Sequence, residues 1–153
     1  MAFDAEDVHQ AIATQLETNL ARAATGATKD INVSPFPFSG MELPRIEVWP
    51  AANWVEYWGT FGAGGVAFIN GLIRVELETA NGETWLKQAS ALVSTGTGKT
   101  NSVVDAIMAD TTLGGVAETI TLDEAQWDDS LDSFGQVIVF PFRVAVRKTG
   151  ATV

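Results

Sequence analysis

The stretch NSVVDAIMADTTLGGVAETITL, residues 101–122, decides the fold, because a helix, a tight turn and a strand follow one another within it. Ser102 and Asp105 have the spacing of a capping box, in which a hydroxyl and a carboxylate satisfy amides of the first helical turn. Four apolar residues follow at helical spacing: Val103, Val104, Ile107 and Met108. Gly114 and Gly115 then break the pattern. The sequence predicts a short helix that ends before these glycines.

Beyond the glycines the period of the pattern changes from helical to two, which is typical of a strand. One face of the predicted strand carries Val116, Glu118, Ile120 and Leu122, and the other carries Ala117, Thr119 and Thr121. We therefore expect this segment to join a sheet.

The strongest strand pattern lies upstream, at residues 66–79, where apolar and polar residues alternate. The predicted apolar face consists of Ala67, Ile69, Gly71, Ile73, Val75 and Leu77, and the polar face of Asn70, Arg74, Glu76 and Glu78. A helix that begins near Asn81 follows, with Trp85, Ala89, Leu92 and Val93 at helical spacing. We expect this helix to cover the apolar face of the strand.

Residues 4–24 predict an N-terminal amphipathic helix that Gly26 ends. Val8, Ile12, Leu16 and Leu20 recur every fourth residue, and acidic residues occupy the positive N-terminal end. His9 is the only histidine and lies beside this apolar stripe, so we expect a solvated surface residue.

The remaining segments contain short extended runs and breakers. Prolines 35, 37, 44 and 50 surround runs at residues 31–33 and 45–49, which places these runs at sheet edges or ends. A further strand is expected at residues 54–58, a projecting glycine-rich loop at 59–65, and a last strand at 136–148. Pro141 in the last strand indicates an edge or a bulge, and Ile138, Phe140, Phe142, Val144 and Val146 share its apolar face.

These elements predict one domain over residues 1–153 with an α+β fold, in which two central helices pack an antiparallel or mixed sheet beside an N-terminal helix. Its parts are the N-terminal helix (1–26), strands with the glycine loop (30–80), a helix pair (81–110) and C-terminal strands (115–148). The 153 residues are 46% hydrophobic, which is enough for one sizeable core.

The charge of the chain excludes one class of function. Its 19 acidic and 9 basic residues give a formal net charge of -10, which argues against a protein that binds nucleic acid by neutralising phosphates. Cysteine is absent, so we expect neither disulfides nor a thiolate metal site. The acidic start and the lack of a run of ~18 apolar residues predict neither export nor a membrane span.

Three motifs favour other functions on first sight. The segment GTGKT at residues 96–100 ends like a phosphate-binding loop, but Val93 stands where that motif needs glycine, so we expect a helix connection and not a nucleotide site at Lys99. The carboxylates Asp123, Glu124, Asp128, Asp129 and Asp132 lack the ligand spacing of an EF-hand loop. We interpret tryptophans 49, 54, 58, 85 and 127 as core or subunit-interface residues in preference to a sugar-binding platform.

Several patterns together resemble the tail terminator and related neck proteins of long-tailed bacteriophages. They are LPRIEVWP at residues 43–50, a Trp-Gly-Thr-Phe-Gly loop, a long alternating strand, and AIMADTTLGG at residues 106–115 before two strands. The resemblance implies a small α+β subunit, not an enzyme, that forms a ring of six on the head-proximal end of the tail tube. It implies no catalytic residue, cofactor or metal.

The resemblance also implies partners and a location. The partners are further copies of this chain, the tail tube protein and a head-side connector or stopper, and DNA passes through the ring without specific binding. The location is the virion, after assembly in the host cytoplasm. We expect the subunit contacts among edge strands, aromatic residues and glycine loops. The candidates are Trp49, Trp54, Trp58, Phe61, Gly62, Gly64, Gly65, Leu113, Gly114 and Gly115.

Three alternatives stay open at this stage. Another neck ring, a connector or a stopper, has the same size and composition as a terminator. A nucleotidase using Lys99 and a carbohydrate-binding module using the tryptophans belong to other classes, which nucleotide and glycan binding distinguish.

Overall fold

A computed structural model describes residues 4–20, 31–58, 65–77, 82–95, 102–128 and 137–147. Within these residues three helices and six strands form an α+β fold, which confirms the predicted class. The helices are α1 (Ala5–Asn19), α2 (Gly82–Val93) and α3 (Val103–Met108), and a 3-10 turn spans Leu113–Gly115. The strands are β1 (Asn32–Ser34), β2 (Arg45–Trp58), β3 (Val66–Glu76), β4 (Thr119–Leu122), β5 (Gln126–Asp128) and β6 (Val137–Arg147).

All six strands belong to one mixed sheet with the order β1-β2-β3-β6-β4, and β5 pairs with β6 further along the same edge as β4. β1 is parallel to β2, and the other pairs are antiparallel. β3 is paired along its length with β6 and, around an irregularity, with β2. The sheet is therefore organised around β3.

The predicted alternation of β3 and β6 is confirmed. Ile69, Ile73 and Val75 of β3 are completely buried, and the apolar face predicted for β6 is buried too. The three helices pack on this side, and α1 contributes the side chains of Val8, Ile12 and Leu16. At about 25 cal/mol per Å² of apolar surface, this burial is the main driving force for folding.

Helix α1 begins as predicted but ends earlier. The Asp4 carboxylate accepts a hydrogen bond from the Glu6 amide at 2.9 Å, which caps the first turn. The prediction of a helix to residue 24, ended by Gly26, is wrong: the chain leaves the helix at Leu20, whose extended backbone turns its side chain into the core. Gly26 lies outside the described residues.

Helix α3 has the predicted cap, because the Ser102 hydroxyl accepts a hydrogen bond from the Asp105 amide at 3.2 Å. In α2, Ala89 and Leu92 are buried, and the side chain of Trp85 packs against the core. The expectation that Val93 helps to cover the sheet is wrong, because its side chain is exposed at the end of α2. Asn81, the predicted cap of α2, lies outside the described part of the chain.

Strand β2 contains two segments for which the sequence predicts separate strands. Residues 45–49 and 54–58 form one strand with an irregularity, because four residues between Pro50 and Val55 stand opposite Asn70 alone. The Asn70 amide donates to the Asn53 carbonyl at 2.9 Å and to the Glu56 carboxylate at 2.8 Å, which fixes the bulge. Pro50 lies at this bulge, within an inner strand.

The C-terminal strands differ from prediction in two places. The chain passes through the 3-10 turn before β4 begins, so Val116 and Glu118 are exposed and Ala117 is buried, contrary to the predicted faces. The segment that carries Asp123, Glu124 and Asp128 contains a short strand, β5, because the edge of β6 offers free hydrogen-bonding groups there. Pro141 lies on β6 between the stretches that pair with β5 and β4.

Gly71 provides a test of this packing. A Cβ atom at Gly71 would lie 2.4 Å from the Phe142 ring and 2.5 Å from the Trp49 carbonyl oxygen, whereas one at Gly82 meets nothing within 4 Å. We expect Gly71→Ala to lower the free energy of unfolding by about 3 kcal/mol through overpacking. Gly82→Ala is the control and should leave it unchanged or higher. Chemical denaturation measures both, and equal stability of the two variants would contradict the register of β2 and β3.

Candidate subunit interface

The side of the sheet opposite the helices is called the outer face below. Residues paired across antiparallel strands project to the same side, so the register of the sheet assigns them. The outer face carries Arg45, Glu47, Trp49 and Glu56 of β2, Phe68, Asn70, Leu72, Arg74 and Glu76 of β3, and Val139, Pro141, Arg143, Ala145 and Arg147 of β6. It is a mixture of apolar and charged side chains, unlike the apolar inner face.

Every arginine in the described part of the chain projects from the outer face and has a carboxylate partner. The pairs are Arg45–Glu76 at 2.7 Å, Arg74–Glu76 at 3.4 Å, Arg143–Glu56 at 3.4 Å and Arg147–Glu118 at 2.5 Å. Partly exposed ion pairs of this kind contribute about 0–1 kcal/mol each. Their main consequence is therefore a surface on which opposite charges are balanced.

The solvent-facing side of the helices has the opposite character. Among the described residues of α1, α2, α3 and the turn after α3, seven are acidic: Asp4, Glu6, Asp7, Glu17, Glu83, Asp105 and Asp110. Lys87 is the one basic residue there, and it pairs with Glu83 at 3.0 Å. Of the ten net negative charges of the described residues, six are thus on the helical side of the molecule, and the other four are Glu42, Asp123, Glu124 and Asp128.

An aromatic loop, residues 35–41 (PFPFSGM), folds back onto the outer face. The Phe38 ring lies 4.5 Å from the Trp49 ring, in an edge-to-face arrangement, and the Arg74 guanidinium lies 5.6 Å from the centre of the Trp49 ring. Phe36, Phe38 and Met41 are all exposed, and Phe38 is 83% exposed. Loops seldom expose such a group of apolar side chains unless it contacts a partner.

A buried carboxylate holds the aromatic loop in place. Glu47, only 2% exposed, accepts hydrogen bonds from the Ser39 amide at 2.7 Å and the Trp49 indole N–H at 3.0 Å. Burial alone raises the pKa of Glu47, but these hydrogen bonds and the Arg45 charge outweigh it and leave the pKa below its ordinary 4.5. The charged carboxylate thus connects the loop to β2.

The backbone at Phe38 is strained, with a φ of 55° that residues other than glycine rarely adopt. Such a conformation costs about 1–3 kcal/mol and persists where the surroundings impose it. The next residue, Ser39, is held by its hydrogen bond to Glu47. The Phe38 ring lies largely in solvent, although burying it would favour folding.

The second tryptophan of β2 has a different environment and involves His9. The Trp54 indole N–H donates to His9 Nε2 at 3.0 Å, and Nδ1 lies 3.4 Å from the Val48 carbonyl oxygen. Because indole N–H only donates, Nε2 accepts and Nδ1 carries the proton. Burial lowers the pKa of His9 below its ordinary 6.5, although hydrogen bonds from the ring to the backbone of Val48 and Pro35 raise it, and this favours the neutral ring at pH 7. The prediction of a solvated His9 is wrong.

The predicted interface residues therefore have different positions. Trp49 lies on the outer face, and Trp54 is partly exposed beside α1. Trp58 is the last residue of β2, and its side chain is not among those described. Phe61, Gly62 and Gly64 lie outside the described residues. Gly65 is buried and directly precedes β3. Leu113 is a buried core residue, so its assignment to a surface is wrong.

The ADTTLGG motif has a structural role at this turn. The Asp110 carboxylate accepts hydrogen bonds from the Thr112 hydroxyl at 2.6 Å and from the Thr112 and Gly114 amides at 3.0 and 2.9 Å. The Thr112 hydroxyl and then the amides lower the pKa of Asp110. Gly114 and Gly115 adopt φ values of 71° and 92° and are exposed. These glycines permit the turn between α3 and β4.

Among the described residues, the nucleotide, acidic and tryptophan motifs of the sequence do not form a binding site. Residues 96–101, which include Lys99, lie outside the described part of the chain, as do Asp129 and Asp132. The Trp49 ring packs against Phe38, and the Trp54 ring packs against His9. The ring centres of Trp85 and Trp127 are 6.1 Å apart. Within the described ranges no group of three His, Asp or Glu residues could hold a metal ion. No described helix is long and apolar enough to cross a membrane.

Sequence reasoning missed the aromatic loop, Glu47 and His9. A signal for the loop was present, since two phenylalanines stand among proline, serine and glycine, where turns usually carry polar side chains. Glu47 had no such signal, because alternation with Ile46 and Val48 is equally typical of a solvent-facing carboxylate. No protein-family model and no curated protein matches this chain.

Substitution of Glu47 tests the support of the loop. In Glu47→Gln one carboxylate oxygen becomes an amide N–H that faces another donor, so we expect a loss of about 2 kcal/mol in unfolding free energy at neutral pH. Because the folded pKa is depressed, the contribution of Glu47 is present above pH 4.5 and is lost as the pH falls through the folded pKa. The loss caused by Glu47→Gln should therefore shrink in acid.

Urea denaturation over a pH series measures this effect. Glu83→Gln changes a carboxylate whose side chain is 78% exposed and is the control, with an expected change under about 0.5 kcal/mol. Hydrogen exchange of residues 35–41 should also become faster in Glu47→Gln. Unchanged exchange there, or a loss in stability that does not depend on pH, would show that Glu47 does not hold the loop.

Proposed function

We propose that this chain is a structural virion subunit that forms a ring on the head-proximal end of a phage tail tube. The ring ends growth of the tube and provides the surface that joins tail to head. The observation that carries the proposal is the division of the molecular surface: a charge-balanced outer face with an exposed aromatic loop, and a strongly acidic helical side. A protein with these two surfaces has one region suited to contacts and another suited to water or to DNA in transit.

The acidic side supports the part of the proposal that concerns DNA. A chain with a formal charge of -10 repels a phosphate backbone, and a ring of several copies multiplies the effect. DNA can then move through the channel without binding to its wall. The same charge disfavours contact between the acidic sides of two subunits.

The outer face supports the part that concerns assembly. Protein interfaces are enriched in aromatic residues and arginine, and Phe36, Phe38, Trp49 and four arginines lie on or beside this face. The resemblance of residues 44–148 to tail terminators adds the specific setting. A connector or stopper ring on the head side of the neck is the alternative within this class, since it needs the same two surfaces.

Deletion of the gene from its phage tests the proposed function. We expect filled heads that are not joined to tails, together with tails of irregular or excessive length, because nothing stops the tube. Electron microscopy of lysates measures both. Complementation with the wild-type gene and with Lys99→Ala should restore normal particles equally, since the ring needs no nucleotide site.

The outcomes separate the alternatives. Tails of normal length that are already joined to heads would overturn the proposal. Normal tails left unjoined would move the chain to the head side of the neck. A Lys99→Ala gene that fails to complement, with nucleotide binding lost in calorimetry, would favour the nucleotidase.

A further inference from the structure

We propose that neighbouring copies of this chain contact each other through two different surfaces: the outer face and aromatic loop of one copy, and the exposed side of α2 and α3 of the next. This second surface, called the α2–α3 surface, carries the exposed residues Glu83, Leu86, Lys87, Val93 and Met108 and the half-buried Asp105, and Lys87 pairs with Glu83. The inference rests on the proposed ring and specifies how its subunits are oriented.

Charge decides which surfaces can meet. Two helical sides repel each other, because seven acidic residues and one lysine lie on each. The outer face carries all the described arginines, and the Arg143 and Arg147 side chains are 43% and 53% exposed. A guanidinium has five N–H donors, so it can bind its own glutamate and a carboxylate of a neighbour. The charge-balanced outer face therefore does not repel an acidic surface, and Arg143 and Arg147 can bind carboxylates on it.

The exposed apolar side chains indicate which helices contact the neighbouring copy. The exposed large apolar side chains of the helices are Leu86, Val93 and Met108, all on α2 and α3. Along α1 the exposed positions carry polar or charged side chains, such as Gln10, Thr14 and Thr18. Phe36, Phe38 and Met41 need apolar partners, and the α2–α3 surface offers them beside acidic residues.

The use of two different surfaces has a consequence for the assembly. A contact between identical surfaces stops at a dimer, whereas a contact between different surfaces repeats and closes into a ring when the rotation allows it. Each copy in the ring has both surfaces occupied. The aromatic loop is then buried in the assembled protein, which accounts for the strained exposed Phe38 of the single chain.

Two variants, each defective in one surface, test this arrangement. Phe38→Asn removes the aromatic side chain. Asparagine fits the positive φ at this position, because it adopts that conformation more readily than most residues. Leu86→Arg places a cation on the α2–α3 surface at a side chain that is 62% exposed, in a helix that accepts arginine. Thr18→Arg adds the same charge on α1 and is the control. Sedimentation and native mass spectrometry measure the size of each protein and of mixtures.

We expect wild type and Thr18→Arg to form the same closed oligomer, and each interface variant alone to remain monomeric. An equimolar mixture of Phe38→Asn and Leu86→Arg should form a one-to-one dimer and nothing larger, because only one intact pair of surfaces remains. Circular dichroism and thermal unfolding check that both variants are folded. The dimer of two defective chains is a gain that a folding defect does not produce.

Other results overturn the inference. Leu86→Arg that dimerises alone indicates contact between two outer faces. Phe38→Asn that still forms the wild-type oligomer but no longer binds tail tubes assigns the aromatic loop to the tube protein. Wild type that stays monomeric at its highest soluble concentration also contradicts it. The tail lengths of the deletion phage do not depend on these surfaces, so the proposed function and the inference fail separately.

Discussion

The structure depends on the pairing of β3 between β2 and β6, because this pairing gives each residue of β3 one of two environments. Ile69, Ile73 and Val75 form the centre of the core on the inner face. Asn70 and Arg74 lie on the outer face, where they bind the bulge of β2 and the carboxylate of Glu76. A register shift of one residue would exchange the two sets, so the core and the outer face are fixed together.

The two long strands and the cap of α3 could be predicted from sequence, because alternation and capping are local patterns. The rest could not, since it depends on distant partners. His9 is buried because α1 lies against the sheet and covers a wider arc than the Val8 stripe. The continuity of β2 is hidden by a bulge that Asn70 holds from the next strand. Of the candidate site, Trp49 was predicted, but its partners Phe38 and Glu47 come together only through the folded loop.

The division of charge links the fold to the proposed ring. The described arginines lie on the outer face and the helical side is acidic, so contact between two helical sides is less favourable than contact between a helical side and an outer face. The aromatic loop adds exposed apolar area to the balanced face, and Glu47 accepts the hydrogen bond from Ser39 that connects the loop to β2. The Glu47 carboxylate thus contributes to the stability of the single chain and positions the loop that we propose for assembly.

Electron cryo-microscopy of isolated tails shows whether the chain forms a ring and which surfaces touch. We expect a closed ring at the head-proximal end of the tube, with the outer face of each subunit covered by the α2–α3 surface of its neighbour and the α1 part of the acidic side turned to the lumen or to solvent. A tail end without this chain, or a ring whose outer faces point into the channel, would contradict this expectation.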